Sequence, residues 1–185
     1  MIFLPCTTSL VAYSIIFRSL FANNGLVNYV LVNIGILDKP YNFLTQPFAA
    51  KMVILLGLLW RWTGYNMVFF LSGLQNIEYS VYEAAKIDGA SAIQTFFKIT
   101  VPLLKPTILL TAIMSTNGTL QLFDESINLT DGGPANASIS MSHYIYNLCF
   151  KYVPNFGYAA AMSFFILLLV AVLAFIQMRV GDKRD

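Results

Sequence analysis

From Tyr158 to Met178 the chain carries no charge, and Gln177 is its only strongly polar side chain. That is about twenty residues, the length at which an α-helix crosses a hydrocarbon core roughly 30 Å thick. Lipid offers the backbone no hydrogen-bond partner, so such a run must be helical, and it draws the rest of the chain toward a membrane bundle. With 57% hydrophobic and 11% charged residues and a mean hydropathy of +0.67, the composition departs from the soluble average in the same direction. Three further runs qualify as spans: Met1 to Phe17, closed by Arg18 and slightly short; Met52 to Leu74, with Arg61 inside it; and Thr107 to Phe123. The expected fold is an all-α, polytopic transmembrane helical bundle of about four spans, with residues 1–185 forming a single domain.

An even number of spans places both ends on one side, and Arg179, Lys183 and Arg184 mark that side as cytoplasmic. The charged stretch Tyr82 to Pro106 then also lies in the cytoplasm, with Lys86, Lys98 and Lys105, while Arg18, Lys39, Lys51 and Lys151 lie outside. On that outer side Leu26, Val27, Val30, Leu31, Ile34 and Leu37 follow helical spacing, with Asn24 and Asn28 on another face, as in a helix lying in the membrane interface. Thr130 to Pro134, TDGGP, is a turn cluster on the same side.

Several function classes are excluded. A net charge of +2 with scattered Lys and Arg residues makes no stripe for nucleic acid. Cys6 and Cys149 have neither CxxC nor metal-ligand spacing and read as packing residues. His143 stands in no catalytic arrangement and reads as a surface or packing residue. The N-terminal apolar run lacks the basic residues that open a signal peptide. There is no GxxxxGK[ST] sequence, so ATP hydrolysis is not expected from this chain.

Between the apolar runs, Ser80 with Glu83 and Ser91 with Gln94 both fit the capping box, in which a Ser side chain and the residue three positions on satisfy free N–H groups at a helix start. Two short helices are expected, divided near Asp88 and Gly89, the glycine ending the first in a left-handed conformation. Ile93, Phe96 and Phe97 give the second an apolar face. Ala84 and Ala85 keep the first narrow enough for close approach by another protein. On these features alone the element is either a connector between spans or a docking element.

The run EAAKIDG, nine further residues and then ITVP resembles the EAA motif of the membrane-spanning subunits of binding-protein-dependent ABC importers, with Val101 where leucine is usual. FANNGLVNYVLVNIGI, WRWTGYNMVFFLSGLQNI, LTDGGP and FGYAAAMSF extend the resemblance to the maltose and glycerol-3-phosphate type of permease over most of the chain. A departure is Glu78, where carbohydrate permeases often have proline. The resemblance implies the type I importer fold, with about two leading spans lacking here. It implies that residues 78–106 form a cytoplasmic coupling loop docking on an ATPase dimer through Glu83, Ala84, Ala85, Asp88 and Gly89. It further implies a second permease subunit, an extracytoplasmic solute-binding protein, ATP and magnesium on the ATPase rather than on this chain, and a location in the cytoplasmic membrane.

Asn117, Gln121, Asp124 and Asn128 recur at intervals of four, three and four, lining one face of the third span and its outer extension. Such a stripe avoids lipid, and either ties helices together or lines a pathway. The resemblance adds Gly118, Thr119 and Leu122, with Gly64 and Tyr65, as positions matching the sugar site of maltose-type permeases. Tyr65, Asn66, Asn117 and Gln121 supply the hydrogen-bonding groups and aromatic surface a sugar requires. Arg61 either pairs with Asp124 or Glu125 or snorkels beside Trp60 and Trp62. The expected function is a permease subunit translocating a carbohydrate. The alternatives are a permease for another solute, a truncated or assembly-only subunit, and, less supported, a membrane-embedded enzyme.

Overall fold

The computed structural model describes residues 4–181, and all regular structure among them is helical. The start of the first expected span, Met1 to Phe3, and the basic residues Lys183 and Arg184 lie outside the described residues. In chain order the helices are α1 (Leu4–Thr7), α2 (Leu10–Leu20), α3 (Leu26–Asn33), α4 (Pro47–Gln75), α5 (Tyr79–Ile87), α6 (Ala92–Thr95), α7 (Val101–Leu103), α8 (Lys105–Leu120), α9 (Met141–Tyr146) and α10 (Phe156–Gly181). One-turn π-helical segments lie at Phe96–Thr100, Ser126–Thr130 and Asn147–Lys151.

Among the described residues, two helices are long and apolar enough to cross a membrane. Helix α4 has 29 residues and α10 has 26, roughly 43 and 39 Å at 1.5 Å per residue. Pro47 opens α4, where its fixed φ suits a helix and its missing N–H is no loss. Among the described residues a third span is present if a bent pair of helices is counted as one. Helix α8 ends at Leu120 and reaches span length only together with Ala92–Leu103, from which it bends by 65°. The bend falls between Pro102 and Pro106, the second of which lacks the N–H that would continue the helix and crowds the carbonyl four residues back. Helix α2, with 11 residues, is short because the helical run breaks at Thr8 and Ser9, and the Ser9 side chain caps its new start.

The segment after α2 is also shorter in helix than its periodicity suggests. Helix α3 ends at Asn33, and Gly35 turns the chain with φ +73°. Asn28, expected on a solvated face, is buried. Its Nδ2 donates to the carbonyls of Ala22 (3.0 Å) and Tyr41 (2.9 Å), and its Oδ1 accepts from Tyr41 N–H (2.7 Å).

Helix α10 lies along α8 and α9, and α4 contacts α1 and α8. Gln177 Nε2 donates to Thr116 Oγ1 at 2.8 Å, joining α10 to α8 with the one strongly polar side chain of the final span. Only 11% of the α10 window and 22% of the α4 window is buried by the rest of the chain. The outward residues include Leu55, Leu59, Phe164, Leu167, Phe175 and Ile176. An apolar surface that continuous is a lipid- or protein-facing surface, not a water-facing one.

Candidate functional site

The hairpin built from α5 and α6 is shaped by bonds between near neighbours. Helix α5 ends on Gly89 at φ +75°; Gly89 N–H bonds to the Lys86 carbonyl (3.2 Å) and Ala90 N–H to the Ala85 carbonyl (3.0 Å). This is the paired closure of a Schellman motif. The Ser91–Gln94 capping box is complete: Ser91 Oγ accepts from Gln94 N–H (3.3 Å) and Gln94 Oε1 from Ser91 N–H (2.9 Å). The other expected box is absent. Helix α5 begins two residues earlier, with Glu78 as its N-cap, so Ser80 is already inside the helix and its hydroxyl bonds to Glu78 Oε2 (3.3 Å). Glu83 is therefore not engaged in capping, and it stands exposed.

Ala84, Asp88 and Gly89 are exposed as well, whereas Ala85 is buried within the chain. Of the two small residues, Ala84 is thus the one presented outward. Ile87 and Ile93, 86% and 72% exposed, flank the turn and stand uncovered by the other described residues. The two arms of the hairpin are joined by a 3.3 Å hydrogen bond between Tyr82 Oη and Thr100 Oγ1.

The polar residues of α8 divide among different neighbours. Ser115 Oγ accepts from Asn66 Nδ2 at 3.3 Å. A Cβ on Gly118 would lie 2.5 Å from Trp62 Cζ2, so the glycine is what admits the indole. These two residues face α4. Asn117 and Gln121 bond to each other (Gln121 Nε2 to Asn117 Oδ1, 2.7 Å) and line a separate cleft of about 570 Å³ with Ser142 and Ser163. The single stripe drawn through Asn117, Gln121, Asp124 and Asn128 does not exist, because α8 stops at Leu120 and the chain leaves the helical path before Asp124. Asp124 and Leu122 are half-buried and Thr119 is exposed; Gly64 is buried in α4.

On the α4 side a small pocket of about 160 Å³ is lined by Cys6, Arg61, Trp62 and Tyr65. The rings of Trp62 and Tyr65 meet edge to face at 5.4 Å. Cys6 donates its S–H to the Arg61 carbonyl (3.1 Å), and both cysteines are free thiols. Arg61 Nη1 pairs with Glu125 Oε1 at 3.3 Å, the Glu125 side chain being 5% exposed. Of the options open for Arg61, the structure takes Glu125. Sequence reasoning did not place Cys6, Trp62, Ser115 or Glu125 in one neighbourhood. The glycine at 118, small opposite a large aromatic, is the signal that would have suggested it.

Beyond α8, His143 is fully buried. Its Nδ1 lies 2.8 Å from Ser126 Oγ, and Ser126 also donates to the Ser138 carbonyl (2.8 Å). His143 Nε2 has no hydrogen-bond partner and lies 3.8 Å from Asp131 Oδ1, a carboxylate gripped by Lys151 at 3.0 Å through both oxygens. Burial pushes the His143 pKa below its ordinary 6.5, opposed by Asp131 and reinforced by Lys151. The histidine is a packing residue that pins the TDGGP turn, in which Asp131 takes the left-handed conformation at φ 49°.

Residues 2–184 match the family described as "binding-protein-dependent transport system inner membrane component". The lactose transport system permease protein LacF of Rhizobium radiobacter is 55% identical over 100% of this chain and 62% of its own length. The arabinooligosaccharides transport system permease protein AraP of Bacillus subtilis is 33% identical over 98% of this chain and 58% of its own length. Among solved structures, a bacterial ABC transporter involved in the import of the acidic polysaccharide alginate superposes with a TM-score of 0.87 at 24% identity, covering 100% of this chain and 64% of that one. The chain thus spans about three fifths of the length of these relatives. With its helices, its hairpin and nearly its whole length matched, the chain belongs to the binding-protein-dependent transport system inner membrane component family.

Proposed function

We propose that this chain is part of a permease subunit of a carbohydrate ABC importer in the cytoplasmic membrane, driven by a separate ATPase that docks on the hairpin. The observation that carries this reading is the hairpin itself. A capped turn presents Glu83, Ala84, Ile87 and Gly89 to solvent on a chain whose remaining exposed surface is mostly apolar. Charge and apolar side chains offered together on a fixed turn suit a soluble protein partner better than lipid. Glu83 meets a basic group of the ATPase, Ala84 allows close approach, and Asp88 and Gly89 set the turn. A second permease subunit covers outward apolar faces, and an extracytoplasmic binding protein delivers the solute. The hairpin and C-terminus lie in the cytoplasm.

The solute path follows α4 and α8, around Gly64, Tyr65, Asn66, Gly118, Thr119, Leu122 and the pocket beside Trp62. Asn117, Gln121 and Asp124 lie further round, at the cleft and the outer end. Identity to a lactose permease over the whole chain makes a lactose-like disaccharide the first substrate to try. The protein's part in transport is mechanical: ATPase closure displaces the hairpin, and the 65° junction between Ala92–Leu103 and α8 passes that displacement to the path.

Co-purification from native membranes in mild detergent, followed by uptake of radiolabelled lactose into vesicles holding the purified assembly, tests the reading. Wild type is expected to bring down a Walker-containing ATPase and a second permease, and to transport. Gly89→Asp should stay in the membrane but lose coupling between ATP hydrolysis and uptake. Unchanged sugar-stimulated ATPase activity in that variant, or a folded wild type with no specific partner, defeats the reading.

A further inference from the structure

We infer that Glu125 is a specificity-determining residue: it neutralises Arg61 from behind the Trp62–Tyr65 pocket, and so fits that pocket to uncharged sugars and against acidic ones. The inference rests on the reading of this pocket as part of a sugar path.

Arg61 is the cationic residue that lines the pocket, beside Cys6, Trp62 and Tyr65. An unpaired arginine here would be an anion site, because a guanidinium grips carboxylates strongly in a poorly hydrated setting. It is not unpaired. Glu125 comes from the segment after α8, 64 positions along the chain, and holds Arg61 Nη1 at 3.3 Å. The two ends of the pair differ in exposure, 28% for the Arg61 side chain against 5% for Glu125. The carboxylate is therefore the buried backing, and the guanidinium is the part in reach of a solute. A buried carboxylate does not swing into water to make room for another anion, since leaving its partner is expensive for both.

The result is a donor without net charge. Arginine has five N–H groups in a planar fork, and one is used on Glu125, so the others remain for sugar hydroxyls. The Trp62 and Tyr65 rings supply apolar faces for a sugar ring, and a volume near 160 Å³ equals about five waters at ~30 Å³ each, close to one ring. A carboxylate entering this space would meet a compensated cation with Glu125 behind it, so attraction and repulsion nearly cancel. Replacing Glu125 by the near-isosteric Gln keeps the shape and a hydrogen-bond acceptor and removes the backing charge.

Cys6 provides a probe on the pocket wall that does not depend on the binding protein's own selectivity. In the purified importer assembly, with every other cysteine replaced, the Cys6 thiolate is labelled by a sulfonate-bearing or a trimethylammonium-bearing methanethiosulfonate, with and without lactose or its galacturonyl counterpart. In wild type the two rates, corrected for a free thiol, should agree within about threefold, and lactose should protect better than the uronate. In Glu125→Gln the anionic reagent should gain about tenfold over the cationic one, and the uronate should become the better protectant. An Arg61→Gln, Glu125→Gln double variant is neutral again and should match the wild-type ratio, which keeps the test decisive if the single variant does not accumulate. A wild-type ratio already favouring the anion tenfold, a double variant departing from wild type, or a single variant with an unchanged ratio overturns the inference while leaving the sugar reading intact. Failure of any sugar to protect Cys6 in a wild-type assembly that transports lactose removes the pocket from the path, and the inference with it.

Discussion

The hairpin and the Arg61–Glu125 neighbourhood are both polar insertions in an apolar chain, and they are built in opposite ways. In the hairpin the closing bonds join residues three to five positions apart, as in Ser91 with Gln94 and Ala85 with Ala90. Around α4 and α8 the bonds span 64 positions for Arg61 with Glu125, 55 for Cys6 with Arg61 and 49 for Asn66 with Ser115. The hairpin takes its shape from local capping and leaves its apolar side chains uncovered. The other cluster exists only when distant segments meet, and it satisfies its charge internally. Damage to the first should therefore be read in what the chain couples to, and damage to the second in whether the chain holds together.

The hardest test of that contrast is Arg61→Leu. It strands Glu125 as an uncompensated buried carboxylate, at a cost of about 3–5 kcal/mol. The expected outcome is a large loss of detergent-stable protein, measured by thermal aggregation. Changing Glu125 to Leu in the same chain should restore most of it, because an apolar pair replaces an ion pair cheaply. Equal loss in single and double variants would show that the pair does not hold α4 to the segment after α8. Next comes Gly118→Leu, whose side chain must displace the Trp62 ring. Overpacking of this kind costs about 1–3 kcal/mol, and a shift in tryptophan emission together with a lower melting temperature should report it. A melting temperature equal to wild type would mean that α4 and α8 are not in close register.

How much of this was legible beforehand follows the same division. The turn at Gly89 and the Ser91–Gln94 box could be read directly, because the residues that make them are neighbours and their chemistry is local. The misplaced box at Ser80 shows the limit of that reading: Ser80 and Glu83 have the right spacing, but Glu78 started the helix first and put Ser80 inside it. The third apolar run is shaped by its prolines. Thr107 to Phe123 is apolar enough to cross, but Pro106 bends its base and the helix stops at Leu120. The polar stripe failed for the same reason, since a spacing of four and three marks one face only while the helix continues. Asn28 looked solvated in the periodicity, yet three hydrogen bonds to backbone bury it as a clip. Arg61 announced itself as a residue needing a partner, and choosing Glu125 over Asp124 required the tertiary fold.

On the hairpin side, Gly89→Ala isolates backbone conformation from contact. No atom lies within 4 Å of the added Cβ, so the cost comes from holding φ near +75°, about 1–2 kcal/mol for a residue with a Cβ. The global melting temperature should barely move, because the turn is exposed and can fray alone. ATPase stimulation by substrate in the full assembly should fall. A global loss of stability instead would show that the hairpin is integral to the bundle, and would erase the contrast between the two regions.

The smallest effect is expected at His143, which sharpens the contrast by giving a buried, long-range cluster a pH signature of its own. Burial lowers the folded-state pKa below 6.5, so between 6.5 and that lower value the unfolded chain binds a proton that the folded chain does not. Stability is therefore complete above pH 6.5 and declines as the pH falls through that window. Protonation would also place a new N–H beside Asp131, in competition with Lys151 for the same carboxylate. Melting curves from pH 7.5 to 5 should show a decline in wild type that is reduced in His143→Gln, which can keep a bond to Ser126 but cannot titrate. Proteolysis at the turn of residues 130–138 should rise over the same range in wild type alone. Parallel pH profiles for the two proteins would mean that His143 does not contribute to the decline.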